Sequence, residues 1–174
     1  MDPTRKMAHI HFVDVPALPL KGAPIDWLDI LLNIACVTLS AEMIGGAQRL
    51  LDSAVDYTQL RYQFGRSIAS FQAIKHRLAD LLMEVELARS AAYQAIETLA
   101  DCSNLQNLTQ AQQRRLTEHA SLAKAAVSDT YLQAALETIQ LHGGIGFTWE
   151  NNTHLWFKRC LLYTSPSPRD DISS

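Results

Sequence analysis

The sequence predicts an all-α protein: an up-down four-helix bundle with long helices, preceded by a remnant β-strand and followed by an irregular tail foreign to the bundle. Three observations carry this expectation. Apolar residues recur every three or four positions over most of the chain, the period of one helix face. A short polar run over residues 101–108 separates two of these stripes, and Gly143-Gly144 stops the third. The expected boundaries are residues 1–20 for strand remnant and linker, 21–159 for the bundle, and 160–174 for the tail.

Composition bounds the possibilities. A chain of 174 residues, 48% hydrophobic with a net charge of -3, is one domain with a sizeable core. It is too apolar and too weakly charged to stay disordered as a whole. Lys+Arg 15 against Asp+Glu 18 leaves no cationic footprint for phosphate backbones, so no nucleic-acid partner is expected. Cys36, Cys102 and Cys160 are odd in number and far apart, which reads as reduced thiols in an intracellular protein. The apolar stretch over residues 27–41 is broken by Asp29 and Asn33 and falls short of the roughly 20 residues that cross a bilayer, so no membrane span is expected. Met1-Asp2-Pro3-Thr4-Arg5 lacks an apolar h-region and a small-residue cleavage site, so export is not expected. The expected compartment is the cytoplasm of a bacterium, with the mitochondrial matrix as the alternative.

Taken in order, Ala8, Ile10 and Phe12 alternate with His9, His11 and Val13, the period of a half-buried strand ended by Pro16. A single strand needs a partner to form a sheet. From Pro24, a stripe of Leu28, Leu31, Ala35, Leu39, Met43, Ala47, Leu50, Ala54 and Thr58 predicts a first helix over about 24–62. Gly45-Gly46 interrupts it and suggests close approach at a helix crossing. A second stripe runs through Phe71, Ile74, Leu78, Leu81, Val85, Ala88, Ala92, Ile96 and Leu99, with Ser67 and Ser70 as candidate caps. A third, with Leu116, Ala120, Ala123, Val127, Ala134 and Leu141, spans about 109–141 and ends at Gly143-Gly144, where a left-handed cap is easy. Thr148 is placed as the cap of a fourth helix of about a dozen residues, starting near Trp149.

Two segments could carry chemistry. Arg61, Tyr62, Gln63, Phe64, Gly65 and Arg66 close the first helix, and Phe71-Gln72 opens the second. Together they offer a guanidinium, amides, aromatics and a helix N-terminus, the makings of an anion site. The alternative is that Arg61 and Arg66 are solvated or capping cations. In the other segment, Gln140 to Phe147, three glycines in four positions allow close backbone approach. It is neither a P-loop nor a dinucleotide fingerprint, because no strand precedes it and no Gly-Lys-Ser/Thr follows. A di-iron site needs Glu-x-x-His on two helices, and the chain contains none. Glu150 and His154 alone do not make a metal site, and no nucleophile elbow is present. No metal ligand and no catalytic residue is assigned.

The motifs Arg61-x-Gln63-Phe64-Gly65, Phe71-Gln72-Ala73, Ala123-Lys124 and Gln140-Leu141-His142-Gly143-Gly144 stand in an order and spacing that resembles the C-terminal helical domain of the FAD-dependent acyl-CoA dehydrogenases, over about residues 1–159. The resemblance implies FAD as cofactor, an acyl-CoA substrate, an external electron acceptor, and a homo- or hetero-oligomer, dimer or tetramer, with the flavin at the subunit contact. Arg61, Gln63 and Phe64 match positions that hold the FAD pyrophosphate and adenine side. Phe71 and Gln72 match further contacts, and Gln140, Gly143 and Gly144 match the segment along the same cofactor. The implied reaction is α,β-dehydrogenation of a thioester by a carboxylate base and the flavin.

Here the sequence departs from the pattern. The family's Tyr-Glu-Gly-Thr-like loop has no counterpart before CLLYTSPSPRDDISS; the alternative base position aligns with Ala35, and a CoA-holding Arg aligns with Cys36. The isolated chain is therefore expected to be inactive. A non-catalytic flavin-binding or structural subunit of a hetero-oligomer is the alternative, and an unrelated helical interaction bundle is the third reading.

Overall fold

The computed structural model describes residues 8–19, 27–102, 104–105, 107–148 and 151–164. Four helices account for most of it: α1 (Trp27–Leu60), α2 (Gln72–Asp101), α3 (Gln110–His142) and α4 (Thr153–Thr164). At 1.5 Å per residue the first three are roughly 45–50 Å long. α3 lies at the centre, packed on both α1 and α2, and α4 packs chiefly on α3. The bundle expected from the periodicity is the observed architecture.

The core joins Met43, Ala47 and Leu50 of α1, Leu81, Val85 and Ala92 of α2, Val127, Tyr131 and Ala134 of α3, and Cys160 of α4. A second cluster of Val37, Ala95, Ala120 and Ala123 extends it toward the other end. All six expected α3 positions are buried. On α1 the expected face holds from Met43 onward, but Leu28 and Leu31 are exposed while Ile30 and Asn33 turn inward. On this inward side Asn33 Nδ2 donates to Thr117 Oγ1 of α3 at 2.9 Å.

The punctuation follows local chemistry. Thr109 caps α3 in a reciprocal box with Gln112, each side chain meeting the other's backbone N–H. α1 is apolar enough by composition to cross a bilayer, with a mean hydropathy of 1.6 in its richest stretch, yet its inward face forms the bundle core. Of the glycine pair, Gly46 lies under the Tyr131 ring, where a Cβ would come within 2.9 Å of the ring tip, while Gly45 faces open space. The crossing expected at this pair is thus a helix against an aromatic ring, and it uses one glycine of the two.

Several expectations are corrected. Residues 8–19 form no strand and are exposed throughout, Ile10 and Phe12 included, because no partner chain segment among the described residues offers a ladder. Pro24 lies outside the described residues. Ser70 does not cap α2: its hydroxyl donates to the Ser67 carbonyl, and Phe71 occupies the cap position. α4 starts at Thr153 rather than near Trp149, because the Asn151 carboxamide accepts from the Thr153 N–H, while Thr148 turns back to the Ile145 carbonyl. The irregular tail placed from residue 160 begins inside α4, which runs on to Thr164 with Cys160 fully buried. Residues 165–174 lie outside the described residues. All three cysteines are free thiols.

Candidate functional site

The end of α1 makes the first half of the site. The Arg61 N–H still donates to the Tyr57 carbonyl at 2.9 Å, as in a helix, and then the chain reverses. Two short strands, β1 (Tyr62–Gln63) and β2 (Arg66–Ser67), pair antiparallel with Tyr62 opposite Ser67 and Gln63 opposite Arg66. The two residues between them, Phe64 (φ 54) and Gly65 (φ 77), both lie at positive φ. That is the hairpin turn whose twist matches the strands, normally given to Asn-Gly. A phenylalanine there costs about 1–2 kcal/mol. Phe64 is nonetheless 92% exposed, so burial of its own ring does not offset the strain.

Side chains pin the hairpin to the helices. Ser67 Oγ donates to the Thr58 carbonyl at 3.0 Å and accepts from the Ala69 N–H at 3.2 Å, capping a single 3-10 turn over Ile68–Ser70. The Ile68 N–H returns to the Arg61 carbonyl at 2.9 Å. Arg66 places its guanidinium carbon 4.0 Å from the Phe71 ring centre, and Phe64 meets the same ring edge-on at 6.3 Å. Arg66 is thereby committed to a cation–π contact. Arg61 is exposed and has no ion-pair partner among the described residues.

α2 starts at this point without a side-chain cap. Phe71 accepts through its carbonyl from Ile74 and Lys75, and its ring cannot accept from the helix N–H groups. The N–H groups of Gln72 and Ala73 are left at an exposed, positively polarised end of a 30-residue helix.

The second half is the exit of α3, at the same end of the bundle because α1 and α3 run in the same direction. Gln140 is exposed and His142 buried. Gly143 adopts φ 62, ψ -139, a region closed to residues with a Cβ, and its N–H donates to Gln140 and Ile139 carbonyls. The cap is therefore at positive φ as expected, but extended in ψ rather than left-handed helical. Cβ atoms at Gly143 or Gly144 would touch nothing, so their backbone is open to an approaching group, whereas one at Gly146 would come within 2.9 Å of the Ile139 carbonyl oxygen.

Tyr57 joins the halves. Its ring stacks on His142 with centroids 4.1 Å apart, and its hydroxyl donates to the His142 carbonyl at 3.4 Å. All eight residues expected at the site, Arg61, Gln63, Phe64, Phe71, Gln72, Gln140, Gly143 and Gly144, are at this end. The reading of the sequence missed Tyr57, Arg66's stacking role and Ser67's tether. Tyr57 stands one helical turn before Arg61, which was the available signal. An open cleft of 690 Å³ lies at the opposite end, between Asp29, Leu32 and Asn33 of α1 and Arg114, Thr117 and Glu118 of α3. Hydrogen bonding and charge from Glu118 raise the Arg114 pKa. Among the described residues no three His, Cys, Asp or Glu side chains gather as metal ligands.

Comparison with known proteins adds independent information. Residues 28–167 match the family profile described as acyl-CoA dehydrogenase, C-terminal domain. The acyl-CoA dehydrogenase IpdE2 of Mycobacterium tuberculosis is 40% identical over 160 residues, 91% of this chain and 43% of that protein. The structure of butyryl-CoA dehydrogenase from Megasphaera elsdenii superposes with a TM-score of 0.70 at 26% identity, over 79% of this chain and 33% of that one. The FAD complex of PigA superposes with a TM-score of 0.61 at 25% identity, over 72% of this chain and 30% of that one. The chain thus spans less than half the length of these relatives.

Proposed function

This chain belongs to the acyl-CoA dehydrogenase family, as its C-terminal helical domain, and from that premise we propose that the hairpin end of the bundle is its share of an FAD site completed by a neighbouring subunit. The observation that carries the reading is the convergence at one end of a guanidinium without an ion-pair partner among the described residues, an uncapped helix N-terminus, a strained and exposed aromatic, and an open diglycine. Each is costly or idle in a lone bundle, and each has a use against a dinucleotide.

The residues fit such a group. The Arg61 guanidinium would grip pyrophosphate oxygens in a fork, and the Gln72 and Ala73 N–H groups at the positive end of α2 would add charge-matched donors. Phe64 would present its ring to the adenine side, held in place by the turn and by its edge contact with Phe71. Gln63 and Gln140 would supply amide partners, and Gly143-Gly144 would let backbone approach without a Cβ in the way. When bound, FAD supplies the electron-accepting chemistry for α,β-dehydrogenation of an acyl-CoA thioester, with an external acceptor for the electrons. This chain's part is to hold and orient the dinucleotide; Ala35 on α1 cannot take up a proton.

Ala35 and Cys36, at the positions of a base and a CoA-holding Arg in the family pattern, also support a second reading, a flavin-binding or structural subunit whose partner brings the base. The two separate by assaying the full-length protein alone and with co-expressed subunits: turnover alone selects the first, turnover only in the pair selects the second. The test of the FAD reading itself is Arg61→Ala in the full-length protein. Loss of a charge-assisted pair worth about 1.5–3 kcal/mol should weaken FAD retention roughly tenfold or more. An unchanged flavin-to-protein absorbance ratio after gel filtration would refute it.

A further inference from the structure

Tyr57 has a surrounding that bundle packing does not require. It is half-buried in the last turn of α1 and sits four residues before Arg61, whose N–H donates to the Tyr57 carbonyl. Across the helix interface its ring lies nearly parallel to the His142 imidazole, at 21°, and its hydroxyl reaches the His142 carbonyl, the peptide that leads into Gly143. His142 is itself held from behind: it is 6% exposed, and Nδ1–H donates to the Thr138 carbonyl at 2.7 Å. Thr138 Oγ1 donates to the Ala134 carbonyl of α3 at 2.6 Å and lies 3.2 Å from the Leu50 carbonyl of α1. His142 is thus held on α3 from behind, and Tyr57 ties its carbonyl to the end of α1.

We infer that Tyr57 is a positioning residue for the dinucleotide, a clamp that fixes the Gly143-Gly144 backbone relative to Arg61; this rests on the FAD reading above. Gly143 occupies a backbone region that many conformations of a free glycine would leave, so its direction depends on what holds the preceding peptide. Both halves of the cradle are on helix ends, which fray unless tied. A clamp between them raises affinity by removing the need to order the loop on binding.

The test compares four full-length proteins: wild type, Tyr57→Phe, Tyr57→Leu and Arg61→Ala. Tyr57→Phe keeps the stack and loses a long hydroxyl contact, so FAD release should quicken about two- to threefold. Tyr57→Leu loses the stack as well and should release FAD about tenfold faster, with an altered visible circular dichroism of the bound flavin. The melting temperature of the apoprotein should change little in Tyr57→Phe. A merely structural tyrosine would instead lower that melting temperature and leave release rate and dichroism at wild-type values, which overturns the inference. Should Tyr57→Leu fail to fold, Tyr57→Phe decides alone by its release rate. If Arg61→Ala speeds release and the Tyr57 variants do not, the clamp fails while the FAD site stands; if none of the variants does, the FAD reading itself fails.

Discussion

The two adjacent glycines of α1 should respond in opposite directions to alanine. Glycine in a helix interior is destabilising by roughly 0.5–1 kcal/mol relative to alanine. At Gly45 a Cβ would meet nothing within 4 Å, so Gly45→Ala should recover that amount. At Gly46 the same atom would sit 2.9 Å from Tyr131 Cζ and 3.0 Å from its hydroxyl oxygen. Tyr131 is 1% exposed, and its hydroxyl donates to the Trp156 carbonyl at 3.3 Å, so the ring cannot retreat without loosening α4. Overpacking of this kind costs about 1–3 kcal/mol, and the lost hydrogen bond about 1 more. Net of the helical gain, Gly46→Ala should destabilise by about 1–3 kcal/mol. For a chain of this size that is a melting temperature about 3–10 °C lower, against a rise of about 1–4 °C for Gly45→Ala. Thermal and urea unfolding followed by circular dichroism measure both. Shifts of the same sign and size for the two variants would refute the reasoning, since they would mean that Tyr131 does not pack on Gly46.

Phe64→Asn should raise thermal stability by about 0.5–1 kcal/mol, because asparagine adopts positive φ readily and completes a favoured hairpin turn, while FAD retention falls. A loss of stability would show that the ring is held for packing instead. Thr109→Ala should lower stability by about 1 kcal/mol through loss of the capping box of α3, measured by urea unfolding, and an unchanged midpoint would exclude that role.

The long helices were legible because their apolar period persists for thirty residues, and burial follows that period directly on α3. It fails at the start of α1, where Ile30 and Asn33 face inward and Leu28 and Leu31 are exposed. The start of α3 was legible to within a residue, although its cap, Thr109, was not named; at α4 Thr148 was named, whereas the Asn151 carboxamide meets the Thr153 N–H. The hairpin was hidden because Phe-Gly occupies a turn usually marked by Asn-Gly. The eight expected residues stand in local motifs, and the fold gathers them at one end of the bundle. The Tyr57–His142 stack joins residues 85 positions apart and has no local signature.

The central claim, that this end of the bundle meets a dinucleotide, is tested most directly by hydrogen–deuterium exchange of the full-length protein with and without FAD. Amides of residues 63–67, 72–73 and 143–144 should exchange more slowly in the flavin-bound form. Unchanged exchange at all three, with protection appearing instead around the Asp29–Arg114 cleft at the opposite end, would contradict it.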